Sequence, residues 1–220
     1  MEKINAVCLF HGTAYDIEYV INLERALRRY LAIPYQFNIL TNRRDLHDTL
    51  TKLGNVIYLP DVTYKRAWWH KLYMFAPQSG LRGVCLYFDL DVIIQGALDV
   101  FVSKDGRLHI IHDFNRANTT INQSNSSIMS WTHENYQYLW QQFSQDTVQY
   151  CNSMHGDQDF IHKFARDRVW YDDKLTSSYR WEYLRGKNYG PETRAIILHG
   201  KPKPHELTDA ALLAQWRQVT

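Results

Sequence analysis

The chain has 220 residues, 25 lysines and arginines against 23 aspartates and glutamates, and a formal net charge of +2. That length suits one α/β domain with a substantial core, and charges of both signs spread along the chain create no one-sided field of the kind that attracts nucleic acid. The start, MEKINAVCLFHG, lacks a basic leader followed by a long apolar run, and no stretch approaches the roughly 20 apolar residues of a membrane span, so a soluble cytoplasmic protein is expected.

The three cysteines, Cys8, Cys85 and Cys151, have no zinc-type spacing and read as free thiols in a reducing compartment. Aromatic residues make up 14% of the chain, including 7 tryptophans. Trp68, Trp69, Trp131, Trp170 and Trp181 could stack on sugars, although core packing is the commoner use of such rings.

In chain order, NAVCLF (Asn5 to Phe10) reads as a strand, followed by a helix with Ile17, Val20, Ile21, Leu23, Leu27 and Leu31 on one face. YQFNIL (Tyr35 to Leu40) and NVIYL (Asn55 to Leu59) are further strands, with a short helix around Asp45 to Leu53 between them. This β-α-β-α-β order predicts a mostly parallel sheet flanked by helices, with function at the carboxyl ends of its strands.

A helix is expected over Arg66 to Ala76, then the most hydrophobic strand, VCLYF (Val84 to Phe88). Strands are expected at Leu108 to His112, Ser127 to Trp131 and Ala195 to Leu198, and helices at His133 to Phe143 and Asp157 to Phe164. The stretch from Tyr171 to Pro191 has weak periodicity and reads as a long surface segment.

Three patterns carry chemistry. Asp89 and Asp91 interrupt the apolar run GVCLYFDLDVII where it leaves the core, and a buried carboxylate is costly unless it is paired or holds a metal. Two carboxylates one residue apart can share a hard divalent cation; alternatively, Asp91 faces solvent and Asp89 caps a turn. In ILHGKPKPHE, His199 follows an apolar strand and precedes Lys201 and Lys203, an arrangement that suits a metal-bridged diphosphate or, equally, a solvated basic loop. In HGDQDF, Asp157 either caps the helix after it or, with Gln158, holds sugar hydroxyls.

Taken together, these stretches resemble the GT-A glycosyltransferases, especially the family-eight retaining enzymes, over nearly the whole chain from about Val7 to Glu206. The resemblance implies a single GT-A, Rossmann-like domain, with a nucleotide-binding half over 1–100 and an acceptor and donor-sugar half over 101–220. It implies a hexosyltransferase that moves a sugar from a nucleotide-diphosphate donor, a UDP-sugar, to a sugar, lipid or protein acceptor with retention, using Mn2+ or Mg2+.

By the same resemblance, FHGTAYD gives Thr13 and Tyr15 to the base, HKLYMF gives Lys71 to the donor phosphate or sugar, and YFDLDVII gives Asp89 and Asp91 to the metal. SNSSIMSW gives Asn125 to the donor sugar, GDQDF gives Asp157 and Gln158 to the reacting sugar, and LHGKPKP gives His199 to the metal and Lys203 to the diphosphate, beside Lys201, whose charge the sequence itself offers to phosphate. The chain departs from the family pattern where Gly200 follows His199 directly, where Ser127 replaces a glycine, and where His205 stands in place of a common tryptophan.

Two alternatives share part of this pattern. A haloacid-dehalogenase-type phosphatase also places Asp-x-Asp after a hydrophobic strand, but Val92 and Ile93 stand where it has Gly-Thr. A non-catalytic nucleotide-sugar-binding module would keep the fold without turnover. Neither G-x-G-x-x-G nor G-x-x-x-x-G-K-[ST] occurs, which disfavours dinucleotide oxidoreductases and nucleoside triphosphatases.

Overall fold

A computed structural model describes residues 3–114, 123–187 and 189–218. Its strands are β1 (Ile4–Phe10), β2 (Tyr35–Thr41), β3 (Asn55–Tyr58), β4 (Val84–Phe88), β5 (Val92–Ile94), β6 (His109–His112), β7 (Ser124–Thr132), β8 (Val169–Trp170), β9 (Thr176–Ser178) and β10 (Ala195–Ile197). The α-helices are α1 (Ile17–Tyr30), α2 (His47–Leu50), α3 (His133–Gln145), α4 (Thr147–Ser153), α5 (Asp157–Phe164) and α6 (Ala210–Arg217).

Seven strands form the central sheet in the order β3-β2-β1-β4-β7-β6-β8. β3, β2, β1 and β4 are parallel neighbours, and β7 alone runs against the rest, antiparallel to both β4 and β6. A smaller sheet, β5-β10-β9, stands beside it.

The period-two alternation of the central strands builds a core on each face. Ala6, Cys8, Phe10, Leu86 and Phe88 join α1, α6 and the small sheet on one side. Val7, Cys85 and Tyr87 join Trp69, Trp131, α3 and α5 on the other. Helix α1 forms where Asp16 Oδ1 accepts the Glu18 N–H at 2.9 Å, and it buries Tyr19, Val20, Leu23 and Leu27 as one stripe. Glu18 in its first turn and Arg28 and Arg29 in its last complement the helix dipole.

Three local expectations change. The segment Ala67–Phe75 is a 3-10 helix rather than an α-helix. Trp69, His70, Lys71, Leu72, Met74 and Phe75 are all buried, so the segment has no polar face on which an amphipathic α-helix could rest. The helix expected over Asp45 to Leu53 shortens to a 3-10 turn at Arg44–Leu46 followed by α2. The stretch from Tyr171 to Pro191 is not all surface: Thr176, Ser177 and Ser178 form β9, and Tyr171 and Tyr179 are buried beside them.

The described cysteines are free, Cys8 and Cys85 in the core and Cys151 half-buried. Among the described residues no helix is long and apolar enough to cross a membrane.

Candidate active site

The alternation that places Tyr87 on the α3 and α5 face of the sheet carries on past the end of β4, so Asp89 follows Tyr87 onto that face. The Tyr87 hydroxyl donates to Asp89 Oδ1 at 2.6 Å, and the Asp89 N–H donates to the Ser127 carbonyl of β7 at 2.8 Å. Because β7 runs antiparallel to β4, its first residues lie beside the last residues of β4, with Phe88 opposite Ile128. Asn125, Ser126 and Ser127 are thereby delivered to the end of the strand that carries the aspartates.

Lys71 is the centre of the charged cluster. Its Nζ lies 3.0 Å from Asp89 Oδ1, 3.2 Å from Asp157 Oδ2 and 2.9 Å from Ser126 Oγ, and the residue is only 4% exposed. Burial works against the ammonium, but Asp157 and Asp89 outweigh it and hold the Lys71 pKa above its usual value. The Ser126 hydroxyl in turn donates to Asp157 Oδ2 at 2.6 Å. Burial raises the Asp157 pKa, and Lys71 and Ser126 oppose the rise.

Asp157 is therefore not a helix cap. Gly156 takes the cap position of α5 and Asp157 is the first helical residue, its carboxylate turned toward Lys71.

Asp91 occupies a second pocket of charge. Its Oδ2 accepts from the Tyr15 hydroxyl at 2.9 Å and pairs with Lys203 Nζ at 2.6 Å. The Asp91 pKa is raised by burial and by the like charge of Asp89, against the pull of Lys203 and Tyr15. Its solvent-facing alternative is overturned, because the residue is 8% exposed.

His199 stands just beyond β10, stacked on Phe114 with ring centroids 5.7 Å apart, and its Nε2 meets Ser178 Oγ at 2.7 Å. Burial lowers the His199 pKa and keeps the imidazole neutral. Gly200 follows at φ 80°, a left-handed turn that a side chain would strain.

A cavity of about 670 Å³ gathers Lys71, Asp89, Asp91, Asn125, Asp157, Gln158 and His199 at its wall. Of the residues singled out in the sequence, Thr13, Tyr15, Lys201 and Lys203 are outside that lining. Tyr15 and Lys203 still reach the site through Asp91, whereas Thr13 is exposed and Lys201 pairs at the surface with Glu206. Tyr87, Ser126 and Ser178 complete the network without having been singled out. Tyr87 had a signal in the sequence, since it sits two residues before Asp89 and so shares its face.

Among the described residues, no three His, Cys, Asp or Glu side chains converge as a ready cation site.

No family model matches the sequence, and no curated protein matches it significantly. Solved structures do match, and the fold is that of the GT-A glycosyltransferases. GlyE, a glycosyltransferase of Streptococcus pneumoniae TIGR4, superposes with a TM-score of 0.72 at 13% identity, covering 99% of this chain and 60% of its own. An active-site mutant of LgtC gives a TM-score of 0.68 at 13% identity, covering 98% of this chain and 94% of that one. The bifunctional glycosyltransferase WbbM gives 0.58 at 12% identity, covering 92% of this chain and 46% of that one. The chain thus spans about three fifths of the GlyE structure and nearly all of LgtC.

Proposed function

We propose that the chain is a glycosyltransferase that moves a hexose from a nucleotide-diphosphate donor, a UDP-sugar, to a hydroxyl acceptor with retention of configuration. The observation that carries this reading is the Lys71, Asp89 and Asp157 cluster, buried at the wall of a cavity at the carboxyl ends of the strands, within the fold of known glycosyltransferases. One related solved structure is of the galactosyltransferase LgtC in complex with donor and acceptor sugar analogs.

Two carboxylates and a neutral imidazole on one cavity form a donor set that fits Mn2+ or Mg2+. Asp89, Asp91 and His199 would hold the ion. With His199 Nε2 held against Ser178, Nδ1 is the ring nitrogen that would be left to hold the ion. When bound, the ion would neutralise charge developing on the departing diphosphate.

The chain's own residues then divide the remaining work. Lys203 would exchange its contact with Asp91 for the diphosphate. Lys71 and Ser126 fix the Asp157 carboxylate beside Gln158, so that sugar hydroxyls meet preorganised acceptors. The amide of Gln158 is a poor nucleophile. Displacement therefore takes place on the front face: the bond from the anomeric carbon to phosphate breaks, the acceptor oxygen bonds to that carbon, and its proton passes to the departing diphosphate.

Calorimetric titration of UDP with and without Mn2+ tests the site, with binding lost in both Asp89→Asn and Asp91→Asn. Wild-type affinity in the two variants overturns the assignment. NMR of the product's anomeric proton tests retention, and an inverted product refutes it.

A further inference from the structure

The seven tryptophans divide by burial. Trp69, Trp131 and Trp216 are packed in the core, Trp140 and Trp170 are half-buried, and Trp68 and Trp181 stand 40% and 48% exposed. The two exposed indoles are also the two that line the 670 Å³ cavity. Large exposed apolar groups gathered at a cleft mark a binding surface, whereas scattered ones do not.

Both residues are anchored beside the cavity. Trp68 Nε1 donates to the His155 carbonyl at 3.4 Å, and its ring stacks on the His155 imidazole with centroids 6.0 Å apart. A Cβ on Gly156 would lie 2.6 Å from Trp68 Nε1, so the indole rests directly against the residue that precedes Asp157. The backbone N–H of Trp181 donates to Ser178 Oγ at 3.1 Å, the same hydroxyl that meets His199 Nε2 at 2.7 Å, which anchors the residue rather than its ring. The guanidinium of Arg66 lies 5.4 Å from the Trp68 ring centroid, and that of Arg185 lies 5.2 Å from that of Trp181. Trp68 thus adjoins the Asp157 end of the charged cluster, and Trp181 adjoins the His199 end through Ser178.

We propose that Trp68 and Trp181 form the acceptor platform and that the acceptor is a glycan. This rests on the glycosyltransferase reading above and adds the substrate class. A pyranose has an apolar C–H face, which stacks on an indole, and peripheral hydroxyls, which need polar partners; His155 offers one on the same cavity, beside the Asn125 and Gln158 already given to the donor sugar. A lipid chain would need a continuous apolar groove, and this cavity is walled by Lys71, Asp89, Asp91 and Asp157.

The test is a glycan array probed with the labelled full chain in the presence of UDP and Mn2+. The wild type should label a defined subset of neutral glycans. Trp68→Ala and Trp181→Ala should each bind those glycans at least about tenfold more weakly, and Trp68→Phe and Trp181→Phe should recover most of the binding because a ring remains. Melting temperatures verify that the variants are folded. No labelling by the wild type, or labelling by folded alanine variants at wild-type strength, overturns the proposal. A wild type that fails to bind UDP refutes the glycosyltransferase reading instead, so the two failures are distinguishable.

Discussion

The central sheet holds two polar networks, one toward its amino end and one at its carboxyl end. Toward the amino end Asn55 Nδ2 donates to Asn38 Oδ1 at 2.9 Å, Asn38 Nδ2 donates to Asn5 Oδ1 at 3.1 Å, and Asn5 Nδ2 donates to the Arg82 carbonyl at 2.6 Å. At the carboxyl end Lys71 binds two carboxylates. The amide ladder is neutral, links three strands side by side and ends on the Arg82 carbonyl, which supports their register. The charged cluster balances one ammonium against the two carboxylates it touches, and it opens on a cavity. Neutral, mutually satisfied groups define structure, while an unbalanced buried cluster is a place where a charged ligand has something to gain.

The largest blow to this contrast is Lys71→Met, which keeps volume but leaves Asp89 and Asp157 without their shared cation. We expect a loss of about 3–5 kcal/mol in urea unfolding. A change below about 1 kcal/mol would show that the cluster is held by something other than Lys71.

Next comes His70, which neighbours Lys71 and stacks on His11 with ring centroids 4.0 Å apart. Burial, helped by His11, lowers its pKa from 6.5 to about 4. The unfolded chain therefore takes up a proton between these pH values and the folded chain does not, so stability falls as the pH drops from about 6.5 toward 4. The expected loss over that window is roughly 3 kcal/mol, and His70→Phe should flatten that part of the profile. Melting curves across the window that are parallel for the two proteins would contradict the assignment.

The smallest effect belongs to the ladder. Asn38→Leu strands Asn5 Oδ1 and should cost about 1–3 kcal/mol while leaving UDP affinity unchanged. A drop in affinity as large as that of Asp89→Asn would erase the distinction between the two networks.

Much of the scaffold was legible in the sequence because each element obeys one period. The alternation of β1 and β4, the apolar stripe of α1 and the Phe160, Ile161 and Phe164 face of α5 all fall at or near the expected positions. Segments without a polar face were misread. Ala67–Phe75 is buried almost throughout, so no periodicity distinguishes its 3-10 path from an α-helix.

In the site, the aspartates were visible by spacing and Tyr15, Lys71 and Lys203 by the family resemblance, but which of them pair was not. Lys71 to Asp157 and Asp91 to Lys203 are tertiary pairings that no local pattern encodes. Ser126 and Ser178 act through hydroxyls that are common at strand ends, and nothing in the sequence singles them out. Thr13 and Lys201 were selected by the pattern and lie outside the cavity lining, as Tyr15 and Lys203 do, but without a contact to Asp91.

The ion pair between Asp91 and Lys203 joins positions 112 residues apart. During synthesis at about 5–20 residues per second, roughly 6 to 22 s separate the appearance of the acid from that of its base. Through that interval the end of β4 carries a carboxylate whose lysine partner does not yet exist, and sealing it away from water would be unfavourable. The Asp91 and Lys203 pair is therefore completed late, and a nascent protein halted before Lys203 should keep that strand end hydrated and exchange-labile even when the β1 to β4 sheet is already formed.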